Sequence, residues 1–274
     1  MPQLPRLDRL SALLEGIAPQ FFVRHAGRLS EVKFYESAEA AFLRLHLITG
    51  GIANLTLAGE REQCLSAPAI AVTRGDTAYT LSLADGGTDA PVAMCVEVHF
   101  GGPVSAILLE AFAVPLMLSL EEADPEMDLV IRLIASEVSQ PRCGQPALLS
   151  RAGDILFIGL LRHLVAQPRT AFGILNGLSD TRIARALVAI HSAPQFPWTL
   201  ETLALEAGMS RTAFAVLFRD TMNCPPGGYL AQVRLAIARK AVTNGYRLKH
   251  AAKEAGYAST TALSRALARQ SISN

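Results

Sequence analysis

The stretch Leu203-Ala204-Leu205-Glu206-Ala207-Gly208-Met209-Ser210-Arg211-Thr212-Ala213-Phe214, with Phe218 beyond it, decides how the carboxy-terminal part of this chain folds. About 48 residues later the pattern returns as Ala251-Ala252-Lys253-Glu254-Ala255-Gly256-Tyr257-Ala258-Ser259-Thr260-Thr261-Ala262-Leu263, followed by Leu267. Each copy reads as a short helix, a turn and a second helix. Gly208 and Gly256 supply turns with φ > 0, which a glycine adopts without steric cost. Ser210 and Ser259 then cap the second helix by accepting from its first free amides. Phe214 and Phe218, like Leu263 and Leu267, stand four apart, so one face is held against a core and the other stays free. Two helices offered in this way suit two successive major grooves of one DNA duplex.

The free faces are polar and basic. In the first copy Ser210, Arg211, Thr212, Ala215 and Arg219 lie off the phenylalanine stripe. In the second, Ser259, Thr260, Thr261, Ser264 and Arg265 take the same face, with Arg269 nearer the DNA backbone. Arg211 and Thr212 sit at the helix end that enters a groove and carries free amides. Arg211 and Arg265 can each grip a guanine with two hydrogen bonds, whereas Ser and Thr are adaptable donors. Thr199 is expected to cap the first helix, and Pro226 to Thr243 reads as a long amphipathic helix between the copies. Such a rod spans roughly 25 Å. With its flanks it approaches the roughly 34 Å between adjacent grooves.

The charge distribution agrees. The 274 residues carry a formal net charge of +1, but 178–274 hold 12 Lys and Arg against 5 Asp and Glu, while 1–177 hold 13 against 19. A basic carboxy-terminal part beside an acidic amino-terminal one is what attraction to phosphate requires. Half the residues are apolar and 18% are charged, which excludes a disordered chain. The start, Met1-Pro2-Gln3-Leu4-Pro5-Arg6, shows no secretory pattern. Leu148 to Val165, the most apolar segment, is interrupted by Arg151, Asp154, Arg162 and His163, so a membrane span is excluded. Cys64, Cys95, Cys143 and Cys224 are too scattered for a zinc site or a disulfide framework, and reduced thiols in a cytoplasm are expected.

The front part reads differently. Leu43 to Leu47 and Ala53 to Leu57 alternate as half-buried strands do, and Ala69–Thr73 and Val92–Val98 are further strand candidates. Gly50-Gly51, Gly59, Gly75-Asp76 and Asp85-Gly86-Gly87 punctuate them, which predicts a small sandwich or barrel. Two helices follow, Met127 to Val138 with a stripe of Leu129, Leu133, Ile134 and Val138, and Ala147 to Ala166, separated by Pro141 and Pro146. Their apolar faces must pack on the strands, on each other or on a second subunit. Pro168 to Leu178 reads as a linker, and Ser179-Asp180 opens a helix from Thr181 to His191. The fold expected is α+β, with an amino-terminal domain over 1–170 and an all-α domain over 178–274.

From Trp198 to Arg269 these residues resemble the AraC/XylS-type transcription regulators. The likeness is carried by Leu203-Ala204, Ala207-Gly208-Met209-Ser210, Phe214 and Phe218. It continues through Pro226, Tyr229-Leu230, Arg234-Leu235 and Ala238, then Gly256-Tyr257, Ser259 and Arg265. The resemblance implies a transcription activator or repressor with two helix-turn-helix motifs that binds double-stranded promoter DNA, meets RNA polymerase, and is governed by an amino-terminal sensing domain. Leu263 and Leu267 stand where the family has Phe, and Ala268 where it has a basic residue. The family's Gly-x-Ser-Pro segment and closing helix do not appear before Asn274, so weaker affinity at the second element is expected.

The strand region resembles a cupin barrel. Val72-Thr73-Arg74-Gly75-Asp76 with Tyr79-Thr80-Leu81 looks like the cupin turn, Tyr79 standing where a His is usual, and the His-x-His ligand pair is missing. Cys95, in a strand where the resembling subgroup often has a Cys, is the redox candidate. Tyr79, His46, His99, Arg44 and Arg74 are candidates for an effector pocket. No metal or cofactor is expected, although His46, His99 and Glu97 are types that suit a divalent ion. The reading is therefore a DNA-binding regulator responding to a small molecule or oxidant, with a homodimer as one use of the apolar helix faces. The alternative is a cupin-type metal-binding enzyme carrying a helical appendage.

Overall fold

A computed structural model describes residues 8–38, 42–83, 91–121, 125–167 and 173–271. The turn expected at Asp85-Gly86-Gly87 and the first part of the expected linker lie outside the described residues. The chain divides into two compact units. One comprises Pro19–Phe100 and Leu109–His163, and the other the described residues of Met1–Ala18, Gly101–Leu108 and Leu164–Asn274.

The first unit is built on antiparallel sheets. Strands β1 (Pro19–Arg28), β8 (Val92–Phe100), β3 (Phe42–Gly50), β6 (Ala69–Arg74) and β9 (Leu116–Ser119) form a five-stranded sheet in that order. Strands β2 (Lys33–Tyr35), β7 (Tyr79–Leu83), β4 (Ile52–Leu57) and β5 (Gln63–Ser66) form a second, four-stranded one. Of the sandwich or barrel expected from the sequence, the described residues show two sheets and no closed barrel. Among the described residues no ladder joins their edges, and Pro68, where the chain leaves β5 for β6, has no N–H to offer one.

The expectation of half-buried strands also changes. All seven residues from Phe42 to Ile48 are buried, because the five-stranded sheet is covered on both faces. Helices α3 (Pro125–Ser139) and α4 (Gln145–Ala166) belong to the outer face. A Cβ on Gly153 of α4 would stand 3.6 Å from Val96 and 4.0 Å from Phe21, so the glycine lets helix and sheet approach closely. Met127, Ile131, Ile134 and Val138 form the buried side of α3, while Leu129 and Leu133, placed on that stripe by the sequence, are exposed. Pro146 lies in the first turn of α4 rather than before it, a place where its missing N–H costs nothing.

The inner face grades from apolar to polar along the strands. At one end Leu29, Ile48, Ala53, Leu55, Leu65, Ala69, Leu81 and Ala93 make a closed hydrophobic cluster. In the middle, β3 and β8 bring His46 opposite Cys95. Two residues on, Arg44 faces Glu97, and two further, Phe42 faces His99. Strand alternation puts all six on one side of the sheet.

The second unit is helical. It contains α1 (Arg9–Ile17), α5 (Ile174–Ser179), α6 (Thr181–Ser192), α7 (Leu200–Ala207), α8 (Arg211–Met222), α9 (Pro226–Thr243), α10 (Leu248–Glu254) and α11 (Thr260–Ser271). The division of the chain between Leu108 and Leu109 falls within a short α2 (Ser105–Glu110). Residues 174–178, expected in the linker, lie in α5, and Gly177 is tightly enclosed there. An added Cβ there would meet Met222 Sδ at 2.4 Å and Leu187 Cδ1 at 2.9 Å. Asp180 caps α6 by accepting from the amides of Arg182 and Ile183. Arg9, on an α1 the sequence reading missed, donates to the carbonyl of Leu178 at 2.7 Å.

Candidate nucleic-acid interface and sensing face

Local chemistry builds the same device twice in the helical unit. Thr199 caps α7 in a reciprocal box with Thr202, Gly208 turns at φ 68°, and Ser210 accepts from the Ala213 amide to start α8. Farther along, Gly256 turns at φ 76°, and Ser259 accepts from the Ala262 amide to start α11. Gly256 is further constrained by space, since a Cβ would lie 2.6 Å from the Cα of Gln195. Between the pairs α9 runs over the 18 residues Pro226–Thr243, and it is anchored rather than free. Its Arg234 donates to the carbonyls of Pro194 and Phe196 at 2.8 and 2.7 Å.

The two pairs are not equally supported. Phe214 and Phe218 are fully buried, meet edge to face at 5.5 Å, and continue to Tyr229 of α9 at 5.8 Å. The Tyr229 hydroxyl in turn shares a 2.7 Å hydrogen bond with Nε2 of His191. In the second pair α10 buries only Ala251 and Ala252, and the one fully buried residue of the described part of α11 is Leu263.

Each proposed DNA contact has a place on these helices. Ser210, Arg211, Thr212 and Arg219 are exposed on α8 and its cap, and Ala215 is half-buried. Ser259, Thr260, Thr261, Ser264, Arg265 and Arg269 are exposed on α11 and its cap. At about 100° per residue, Arg211 stands only about 40° from the buried phenylalanine stripe, so it reaches sideways. The residue about 180° from that stripe is Val216, which is 46% exposed. Sequence reasoning missed it. Counting from Phe214 and from Leu263 puts Val216 in the place of Arg265, and that alignment of the two copies was the available signal.

In the sheet unit, four of the candidate residues, Arg44, His46, Cys95 and His99, share the inner face of the five-stranded sheet, and Tyr79 reaches it from β7. His46 is fully buried, and its Nε2 is hydrogen-bonded to the Tyr79 hydroxyl. Burial and the nearby Arg44 and His25 hold its pKa down at about 3, so the ring is neutral. Among the described residues its Nδ1 has no hydrogen-bond partner. Tyr35 stacks on Tyr79 with ring centres 4.8 Å apart. Burial pushes the Cys95 thiol up to about 12, which disfavours the thiolate despite a hydrogen bond with Tyr35. Arg44 stacks on Phe42 and Tyr35 and donates to Glu97 at 3.4 Å. Glu97 also accepts from Arg24 at 2.8 Å and pairs with His99 at 3.1 Å. Burial alone would raise its pKa; His99, Arg24 and Arg44 hold it down. Arg74 pairs with Asp76 at the turn instead of joining this face. Among the described residues no three His, Cys, Asp or Glu side chains converge as metal ligands would. Nor is any described helix long and apolar enough to cross a membrane.

His46 makes a pH prediction. A histidine held neutral when folded contributes nothing above its ordinary pKa of 6.5, where both states are neutral. It destabilises the fold increasingly as pH falls from there toward about 3, because only the unfolded chain takes up the proton. Between pH 6.5 and 5 the loss is about 2 kcal/mol, at about 1.4 kcal/mol per pH unit. Urea melts at pH 7 and pH 5 should show it in the sheet unit. His46→Gln should shrink the difference by that amount, which separates His46 from other titrating groups.

A family model described as "Cupin" matches residues 8–166, and one described as "Helix-turn-helix domain" matches 203–271. The HTH-type transcriptional regulator AlkR of Acinetobacter baylyi is 33% identical over 181 residues, covering 64% of this chain and 57% of that protein. The chain therefore spans little more than half the length of this relative. The RCS-specific HTH-type transcriptional activator RclR of Escherichia coli is 27% identical over 96% of this chain and 94% of its own. Among solved structures, ToxT of Vibrio cholerae with a bound unsaturated fatty acid is 14% identical over 91% of each chain, with a TM-score of 0.38. With a cupin region followed by a matched helix-turn-helix region, the chain belongs to the AraC-like family of helix-turn-helix transcription regulators that carry an amino-terminal cupin domain.

Proposed function

We propose that this protein is a sequence-specific regulator of transcription, in which residues 178–274 bind promoter DNA through two helix-turn-helix motifs. Residues 1–170, in this reading, sense a small molecule or an oxidant through a cupin-like fold. The observation that carries it is the repeated cap, turn and cap, which leaves the outward faces of α8 and α11 exposed and largely polar, with Val216 the apolar exception at the centre of α8, while Phe214, Phe218 and Leu263 on the inner faces are buried. Arg44, His46, Tyr79, Cys95 and His99, gathered within one fold, support the sensing role. The burial of Cys95, which keeps its thiol protonated, favours an effector that reaches it uncharged. RNA polymerase and a second copy of the chain are the further partners this reading implies.

Selection of duplexes from a random-sequence library by the full chain tests the reading. Two blocks of conserved bases with centres about 10–10.5 base pairs apart are expected, one for each reading helix. Enrichment of no sequence over the input library would overturn it.

A further inference from the structure

Val216 occupies the centre of the outward face of α8, with Thr212 and Arg219 within about 60° on one side and Asp220 about 40° away on the other. We propose that Val216 is the residue with which the first helix pair reads a base, and that its target is the 5-methyl group of a thymine. The inference rests on the DNA-reading function proposed above. A helix lying in the major groove turns the middle of its outward face toward the base edges and its flanks toward the sugar-phosphate walls. Single exposed apolar residues are common on protein surfaces and need no explanation. The position of Val216, rather than its exposure alone, singles it out.

Its chemistry then restricts the partner. Valine has no donor or acceptor, so it cannot select among the N7, O6, N6 and N4 groups that distinguish bases in this groove. The apolar feature there is the thymine methyl. Being β-branched, the side chain has a stiff χ1, so it presents its methyl groups in a fixed place with little rotamer freedom to lose. The second pair gives the contrast. The equivalent position, two residues past the buried Leu263, is the exposed Arg265, which suits guanine O6 and N7. The two pairs are therefore built for different base features, a methyl group in one block and a pair of acceptors in the other.

The test begins with a duplex selected by the full chain from random sequence. Each thymine in it is replaced in turn by deoxyuridine, which lacks only the methyl. Wild-type protein should bind about four-fold more weakly when one particular thymine is replaced, the effect of about 0.8 kcal/mol for one methyl-sized group. Val216→Ala should bind the thymine and uracil duplexes equally at that position and melt like wild type. Val216→Arg should move the preference there toward guanine. Indifference of the wild type to every replacement, or full sensitivity retained by Val216→Ala, would overturn the assignment while leaving the regulator reading intact. Failure of the wild type to select any sequence overturns both.

Discussion

Phe214→Ala is expected to lower the unfolding free energy of the helical unit by about 3–5 kcal/mol, the range for deleting a fully buried aromatic ring. Phe214 is fully buried and begins a chain of rings through Phe218 to Tyr229, ending at the hydrogen bond to His191. Removing the first ring opens a cavity beside Phe218 and leaves that ring with Tyr229 as its one remaining edge-to-face neighbour among these rings. The remaining contacts of α8 are half-buried Ala215 and Leu217 with Thr221 and Met222, too few to refill the space. Urea melts followed by circular dichroism should show a lower midpoint with an unchanged slope. DNA affinity should fall along with stability, because α8 would no longer be held in one orientation. A loss below about 1 kcal/mol would mean that the rings do not carry the packing assigned to them. Leu263→Ala, in the second pair, removes a smaller group, and the other buried residues from α10 to the described part of α11 are Ala251, Ala252 and Ala255.

The contrast between the pairs shows which features a sequence displays. Caps and turns are local, so Thr199, Gly208, Ser210, Pro226 and Ser259 could be assigned from their neighbours alone, and the α9 helix runs over the expected Pro226–Thr243. Burial is not local. The alternation around Arg44 and His46 looks like a strand with one wet face, yet both are buried, because α3 and α4 lie on the outer face and the second sheet supplies Tyr35 and Tyr79 on the inner. Strand β1 was missed although it pairs along the length of β8, and its bulge between Val23 and His25 falls at Arg24, a partner of Glu97. Nothing adjacent in sequence links Arg24 to Glu97. Val216 is hidden in the sequence for a different reason: polar residues announce a DNA-reading face, whereas an apolar one at its centre carries information only when the two copies are aligned.

Binding to DNA should weaken steeply with salt. Of the 12 Lys and Arg in 178–274, Arg182 is paired with Asp180, and Arg234 is bonded to main-chain carbonyls of its own unit. The other ten belong to α6 and to the segments from α8 to α11, against a small acidic complement of five. If about six of them neutralise phosphates, the log–log slope of affinity against salt is about −5, and raising salt from about 50 to about 200 mM weakens binding about a thousand-fold. Fluorescence anisotropy with a labelled selected duplex measures this directly. A slope near zero would mean that the basic part of the chain does not lie along a polyanion. The same titration sorts individual cations. Arg219→Ala, on the flank of α8, should lower affinity for selected and scrambled duplexes alike and make the slope shallower by about 1. Arg265→Ala should instead reduce the preference for the selected duplex, since a base contact releases no counterion. An Arg265→Ala slope as shallow as that of Arg219→Ala would place Arg265 on a phosphate and remove it from the reading face.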